Sequence, residues 1–254
     1  MSRILLNKLF GEENKIDYDY LSSNPSEEAM RILEANPDKI RWKTLSLNPS
    51  EGALRLLEDN PDNIDWYWLS QNSSERAVRL LEANPDKIYW DSLCKNCCEE
   101  AMRLLECNQD KIYWDWLSEN PSEGAMRLLE ANPEKIHYIC LSANTSDWAM
   151  RLLEANLDKL TSFWYLSENH SERAVRILEA NQDKIAWQQF STNTSERAFE
   201  LLKANPDKIH WDLLCTNSFE GAIRLLEANL DKIDWQLLSS NPGIFEDPYD
   251  YILK

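Results

Sequence analysis

A unit of 24 residues recurs along almost the whole chain: Asn24, Asn48, Asn72, Asn96, Asn120 and Asn144 stand 24 apart, and after one inserted residue Asn169, Asn193, Asn217 and Asn241 continue the series. A unit this short cannot bury an apolar face by itself, so neighbours must stack and share one continuous core. The expected architecture is therefore an all-α solenoid of short two-helix repeats. It reads as a single tandem-repeat array over residues 1–254, with an N-terminal cap at 1–15, repeats at 16–240 and a C-terminal cap at 241–254.

Each unit holds two half-motifs. The first reads Asn-Pro-Ser-Glu-x-Ala-x-Arg-Leu-Leu-Glu-Ala, as at Asn120 to Ala131, and the second reads Asn-Pro-Asp-Lys-Ile-x-Trp-x-x-Leu-Ser-x, as at Asn84 to Lys95. Asn is a favoured N-cap and Pro is tolerated at the first helical position, so each half-motif is expected to open a helix at its Asn. Glu27 after Asn24 and Glu123 after Asn120 complete a pattern like a capping box. Ala29, Met30, Ile32 and Leu33 fall on one face at helical spacing, whereas Ile40, Trp42 and Leu45 cover a broad sector, as in a short α or 3-10 helix buried on more than one side. The alternative is a leucine-rich-repeat horseshoe with Ile-x-Trp as a short strand. That motif needs an Asn where Leu45 stands.

The chain carries 27 basic against 44 acidic residues, a formal net charge of −17, which opposes binding to a phosphate backbone and favours basic protein partners. The same surplus also keeps a Trp-rich array in solution. No apolar run approaches the length of a membrane span, and Met1 to Phe10 is interrupted by Asn7 and Lys8, so neither membrane insertion nor secretion is expected. The six cysteines are accordingly expected as reduced thiols.

Recurrence separates folding from function. Arg31, Arg55, Arg79, Arg103, Arg127, Arg151, Arg176 and Arg224 share one position, each with an acid four residues before it, which reads as a ladder of helical ion pairs and not as a ligand clamp. In the eighth unit the Arg becomes Glu200 and the following Glu becomes Lys203, an exchange of sign that preserves the attraction. Trp42, Trp66, Trp90, Trp114, Trp187, Trp211 and Trp235, with Tyr18 and Tyr138, form a second column, read as a core spine in preference to a platform for stacked bases.

The residues that do not recur are the candidates for recognition: Trp68, Trp116, Trp148, and Phe163 and Trp164 beside the inserted residue. Cys94, Cys97, Cys98 and Cys107 each replace a small residue of the unit, so a metal site is not expected. Cys97 and Cys98 at a helix start are expected to have lowered thiol pKa values. His137, His170 and His210 form no catalytic constellation, and no cofactor is expected.

The ends depart from the repeat. Leu5, Leu9 and Phe10 at one end, and Ile244, Phe245, Tyr249 and Tyr251 at the other, are expected to cap the core or to join two copies into a homodimer.

The recurrent Asn-Pro-Asp-Lys-Ile-x-Trp-x-x-Leu-Ser-x-Asn-Pro followed by Ala-x-Arg-Leu-Leu-Glu, and the ending Asn241-Pro-Gly-Ile-Phe-Glu-Asp-Pro-Tyr-Asp-Tyr251, resemble the short tandem-repeat proteins encoded in many copies by giant, large nucleocytoplasmic DNA viruses. That resemblance implies a viral origin and an intracellular life in host cytoplasm, nucleus or virus factory, or a place in the virion. It implies no catalytic residues. The expected function is a non-enzymatic scaffold for protein-protein interaction. The alternatives are a self-assembling structural component, or an acidic mimic that sequesters basic nucleic-acid-binding proteins.

Overall fold

A computed structural model describes residues 16–244; Leu5, Leu9, Phe10, Phe245, Tyr249 and Tyr251 lie outside them, as do the first cap and most of the second. The protein is all-α: among the described residues α-helices alternate with 3-10 turns and no strand occurs, which overturns the leucine-rich-repeat alternative. The reason lies in Ile-x-Trp. In Ile64-Asp65-Trp66, Ile64 is the extended C-cap of one 3-10 turn, Asp65 is an N-cap, and Trp66 already begins the next helix, leaving no length for a strand.

One repeat is built as a long α-helix, a 3-10 turn and a short α-helix, for example Glu51–Asp59, Pro61–Asn63 and Trp66–Gln71. The second half-motif is thus both of the forms expected for it, a 3-10 turn at Pro-Asp-Lys followed by a short α-helix at Trp. The chain divides into two compact units, Met1–Leu128 and Leu129–Lys254. Within each unit long helices pack on long helices of the adjacent repeats, and short on short. Glu27–Ala35 packs on Glu51–Asp59 in the first unit, as Trp164–Glu168 packs on Trp187–Phe190 in the second.

The core of the first unit is a column of fully buried leucines, Leu45, Leu57, Leu69, Leu81, Leu93, Leu105 and Leu117, alternating between short and long helices. Leu141, Leu153, Leu166, Leu178, Phe190, Leu202 and Leu214 do the same in the second. Each unit thereby buries what a lone repeat would expose. Two glycines sit tightly between long helices: a Cβ on Gly52 would lie 2.5 Å from Met30 Cγ, and one on Gly124 would lie 2.3 Å from Met102 Cγ.

The recurring Asn does not cap the helix that follows it. Ser26, Ser50, Ser146 and Ser171 occupy the N-caps of the long helices, each accepting from the backbone N–H three residues on. Glu27 is consequently the first helical residue, and the capping box read from Asn24 does not form. Asn24 and its equivalents sit two residues earlier, which frees their amides for longer-range bonds. Asn48 Nδ2 donates to the carbonyls of Ser22 at 3.0 Å and Asn24 at 3.1 Å, while its Oδ1 accepts from Ser50 N–H. Asn72, Asn96 and Asn120 repeat the pattern in the first unit, and Asn169, Asn193, Asn217 and Asn241 in the second.

A second rung runs beside this one. Ser46 Oγ donates to Trp42 O within its own helix and accepts from Asp65 N–H of the next repeat at 3.0 Å. The other Asn of the unit, Asn36 or Asn60, turns its amide back onto the carbonyl four residues earlier and so closes the C-terminus of the long helix.

Candidate functional site

Most of the Arg column is engaged in ion pairs, within its own helix or with the preceding repeat. Arg79, Arg151, Arg176 and Arg224 bind the acid four residues before them, namely Glu75, Asp147, Glu172 and Glu220. Arg103 reaches Glu100 at 3.9 Å. Arg55 and Arg127 instead reach the preceding repeat, at Glu27 and Glu99, across the bare backbone of Gly52 and Gly124. Arg31 stands exposed on its helix. The sign-exchanged pair also meets: Lys203 Nζ lies 3.6 Å from Glu200 Oε2.

A second Arg column, which sequence reading missed, occupies the glycine position. Arg76 grips both Glu51 and Glu58 of the preceding repeat, and Arg173 grips both Asp147 and Glu154. Arg197 binds Glu179. The signal was present as an Arg at the position directly before the recurring Ala, with acids seven apart in the unit before. Hydrogen bonding from Arg76 lowers the Glu58 carboxyl pKa, and in turn Arg76 is raised. Asp147 is lowered by its hydrogen bond from Arg151.

This column also explains Trp148. Its indole N–H donates to Glu130 Oε1 at 2.7 Å, the bond an Arg makes elsewhere, and its ring packs against the second unit's core. Trp148 is thus an inter-repeat fastener and not the exposed recognition residue expected of it. Phe163 likewise belongs to the fold. Its carbonyl accepts from Ser167 Oγ as Trp66 O accepts from Ser70, which places Phe163 in the Trp column and puts the extra residue at Thr161-Ser162. Lys184 sits over its ring as Lys159 sits over Tyr138. The Trp column itself is half-buried at Trp42, Trp66, Trp90 and Trp114, and Trp235 is 64% exposed.

The cysteines follow their positions. Cys94 takes the place of the recurring Ser and, fully buried, accepts from Tyr113 N–H at 3.4 Å. Burial pushes its thiol up to about 11. Cys98 stands at an N-cap but makes no cap bond; its thiol donates to Glu100 instead. Burial, and then Glu100, raise the Cys98 pKa, and burial raises that of Cys97, so the lowering expected at this helix start does not occur. Among the described residues no group of three or more His, Cys, Asp or Glu is placed to hold a metal ion.

The surface left over is the outer side of the short helices. In the first unit it carries Tyr67, Trp68, Tyr89, Tyr113 and Trp116, of which Tyr89, Tyr113 and Trp116 are 49%, 54% and 39% exposed. Tyr67 packs edge-on against Trp68 and Tyr89, with ring centres 5.3 and 5.6 Å apart. Lys43 lies over Trp68 and Lys95 over Trp116. Asp91, Asp115 and Glu119 stand exposed or half-exposed along the same helices. In the second unit the equivalent positions carry Trp164 and Tyr165, each 44% exposed. Of the sequence candidates, therefore, Trp116 and Trp164 are exposed and Trp68 is half-buried; Tyr67, Tyr89, Tyr113 and Tyr165 were missed because tyrosine at these positions looks like ordinary repeat variation.

Comparison with protein-family models, with curated proteins and with solved structures found no match. No helix among the described residues is long and apolar enough to cross a membrane.

Proposed function

We propose that the protein is a non-enzymatic scaffold that binds other proteins, and that the outer face of the short helices in its first unit is the contact surface. The observation that carries this reading is the row Tyr67, Trp68, Tyr89, Tyr113 and Trp116. Large aromatics with polar edges are the residue types that concentrate binding energy at protein interfaces, and folding alone gives no reason to leave Tyr89, Tyr113 and Trp116 exposed. The recurring Asn, Ser and Leu side chains are occupied with the neighbouring repeat or their own helix, whereas this face changes from unit to unit, as a surface that encodes specificity must. The net charge of −17 and the carboxylates along the row favour a basic partner. The repeat's resemblance to giant-virus proteins supports a viral origin, with host or virion proteins as the partners.

The test is affinity capture from host extract with the wild type and with a Tyr89→Ala, Tyr113→Ala, Trp116→Ala triple variant of unchanged helical content. Partners held by the wild type and lost by the variant are the expected result. An identical set captured by both would remove the aromatic face from the account.

A second reading rests on its own observation. At the end of the described residues, Ile223, Leu226, Leu230, Ile233, Trp235 and Ile244 line a cavity of about 430 Å³, with Leu230 and Trp235 59% and 64% exposed. This favours end-to-end self-assembly of copies. Sedimentation over a wide concentration range tests it: a mass that rises with concentration in the wild type, and not in Trp235→Glu, is expected. A constant monomer mass would sink it.

A further inference from the structure

Among the aromatics of the first unit, Trp116 is distinguished by what already lies on it. Lys95 Nζ stands 3.5 Å from the centre of the Trp116 ring, the shortest of the lysine-over-ring contacts among the described residues. Among the described residues Lys95 forms no ion pair, and the ring is the counterpart its ammonium has found. The position is otherwise unsuited to an obligatory lysine: Leu47, Gln71 and Glu119 occupy it in other repeats. Beside the pair, Lys95, Trp116, Glu119, Asn120 and Pro121 border a depression of about 240 Å³. It combines an aromatic face with the exposed carboxylate of Glu119, the elements that attract a cationic side chain.

We propose that this depression receives an arginine or lysine side chain of a basic protein segment, and that Lys95 is an internal stand-in which the incoming cation displaces. The inference rests on the scaffold reading and narrows it to one partner chemistry and one anchoring residue. A tryptophan face is the strongest of the aromatic cation acceptors. A guanidinium adds to it a planar fork that can stack on the indole and donate to the Glu119 carboxylate together. Lys95, tethered through its own backbone, can supply only the charge. Its presence lowers apparent affinity by holding the site in a filled state, as any conformation that excludes ligand does. The intramolecular contact therefore sets a threshold: a single stray cation does not displace it, whereas a segment presenting several to a chain of net charge −17 does.

The experiment is fluorescence anisotropy of a labelled Gly-Arg repeat peptide with the full chain, at fixed ionic strength. Trp116→Ala is expected to weaken binding about tenfold and Trp116→Phe less, following the order of ring strength. Lys95→Gln is expected to tighten binding severalfold, and by more than Lys111→Gln, which removes the same charge from a neighbouring repeat. Unfolding midpoints of the variants, read alongside, separate loss of the site from loss of the fold. Binding indifferent to Trp116, or a Lys95→Gln effect no larger than that of Lys111→Gln, would overturn the proposal. Loss of partner capture by the triple variant with peptide binding indifferent to Trp116 would leave the scaffold reading standing and remove this site. Unchanged capture with Trp116-dependent peptide binding would do the reverse.

Discussion

The side-chain amide of Asn72 donates to the backbone carbonyl of Asn48, its equivalent one repeat earlier, at 3.0 Å, and the same nitrogen donates to Ser46 O at 2.9 Å. Both asparagines are buried, and Asn72 Oδ1 accepts from Ser74 N–H. One carboxamide thus satisfies two backbone acceptors of the preceding repeat and one donor of its own, all out of reach of water. The rung fixes register as well as contact, because sliding one repeat by a residue breaks every bond in it.

Asn72→Ala should therefore cost on the order of 3 kcal/mol, since the carbonyls of Ser46 and Asn48 and the N–H of Ser74 are left buried without this partner. Asn72→Asp should cost more at neutral pH, where a carboxylate would face two carbonyl oxygens. Urea unfolding of both variants checks the order; equal stability of Asn72→Ala and wild type would contradict it.

Thiol reactivity should divide by position. Cys97 and Cys107 are exposed and should react with an aromatic disulfide reagent in the folded protein, Cys97 slowed by its raised pKa. Cys94 and Cys215, both buried and both raised by burial, should react only on unfolding. Cys94→Ser should be close to neutral in stability, because Ser occupies the equivalent position at Ser46 and Ser70 and forms the same bond there. Rapid native labelling of all six thiols would contradict this assignment.

Repeat identity made much of the fold legible and hid part of it. The helical half-motifs, the leucine core and the pairing of Arg79, Arg151, Arg176 and Arg224 four residues back follow from spacing within a dozen residues, and the Glu200 and Lys203 exchange meets as its signs require, whereas Arg55 and Arg127 reach acids 28 residues away. The Asn rung was not legible in the same way: its partners lie 24 and 26 residues away, so Asn beside Pro reads as a local cap when Ser two residues on is the cap. Trp148 looked like a departure from the unit, yet it makes the bond that Arg makes elsewhere. Phe163 looked like part of an insertion, yet it restores the aromatic column. The aromatic face was half legible, since only the tryptophans broke the pattern visibly and the tyrosines did not.

The Arg76 grip on Glu51 and Glu58 should be measurable without being large. Both partners of the closer pair are about one-third exposed, 31% for Arg76 and 32% for Glu58, so a double-mutant cycle with Arg76→Gln and Glu58→Gln should give a small favourable coupling that shrinks in high salt. The pH dependence has a definite sign. Glu58 and Asp147 are lowered in the folded chain, so the unfolded chain binds the extra proton as pH falls. Their stabilisation is complete above the ordinary unfolded carboxylate range, about 4, and is lost as pH falls through the lowered folded values. In Arg76→Gln the Glu58 titration, followed by carboxyl NMR, should move upward; an unmoved Glu58 would contradict the pairing.

Gly124→Ala should destabilise by about 1–3 kcal/mol, because the added methyl meets Met102 Cγ and Cβ. Met102→Ala should then cost less in the Gly124→Ala background than in the wild type, and additive losses in the thermal midpoints would show that the two helices do not touch there.

Under the proposed function the recurring Asn, Ser and Leu side chains are consumed in holding repeats together, which leaves the variable face for binding. Hydrogen exchange at the side-chain amides of Asn48, Asn72, Asn96, Asn193 and Asn217, followed by NMR on the intact protein, tests it most directly. Protection of these carboxamides approaching that of the buried core backbone, against fast exchange at a surface amide such as Gln236, is the expected result. Exchange of the recurring asparagines at the free-amide rate would show that no buried rung joins the repeats, and would contradict it.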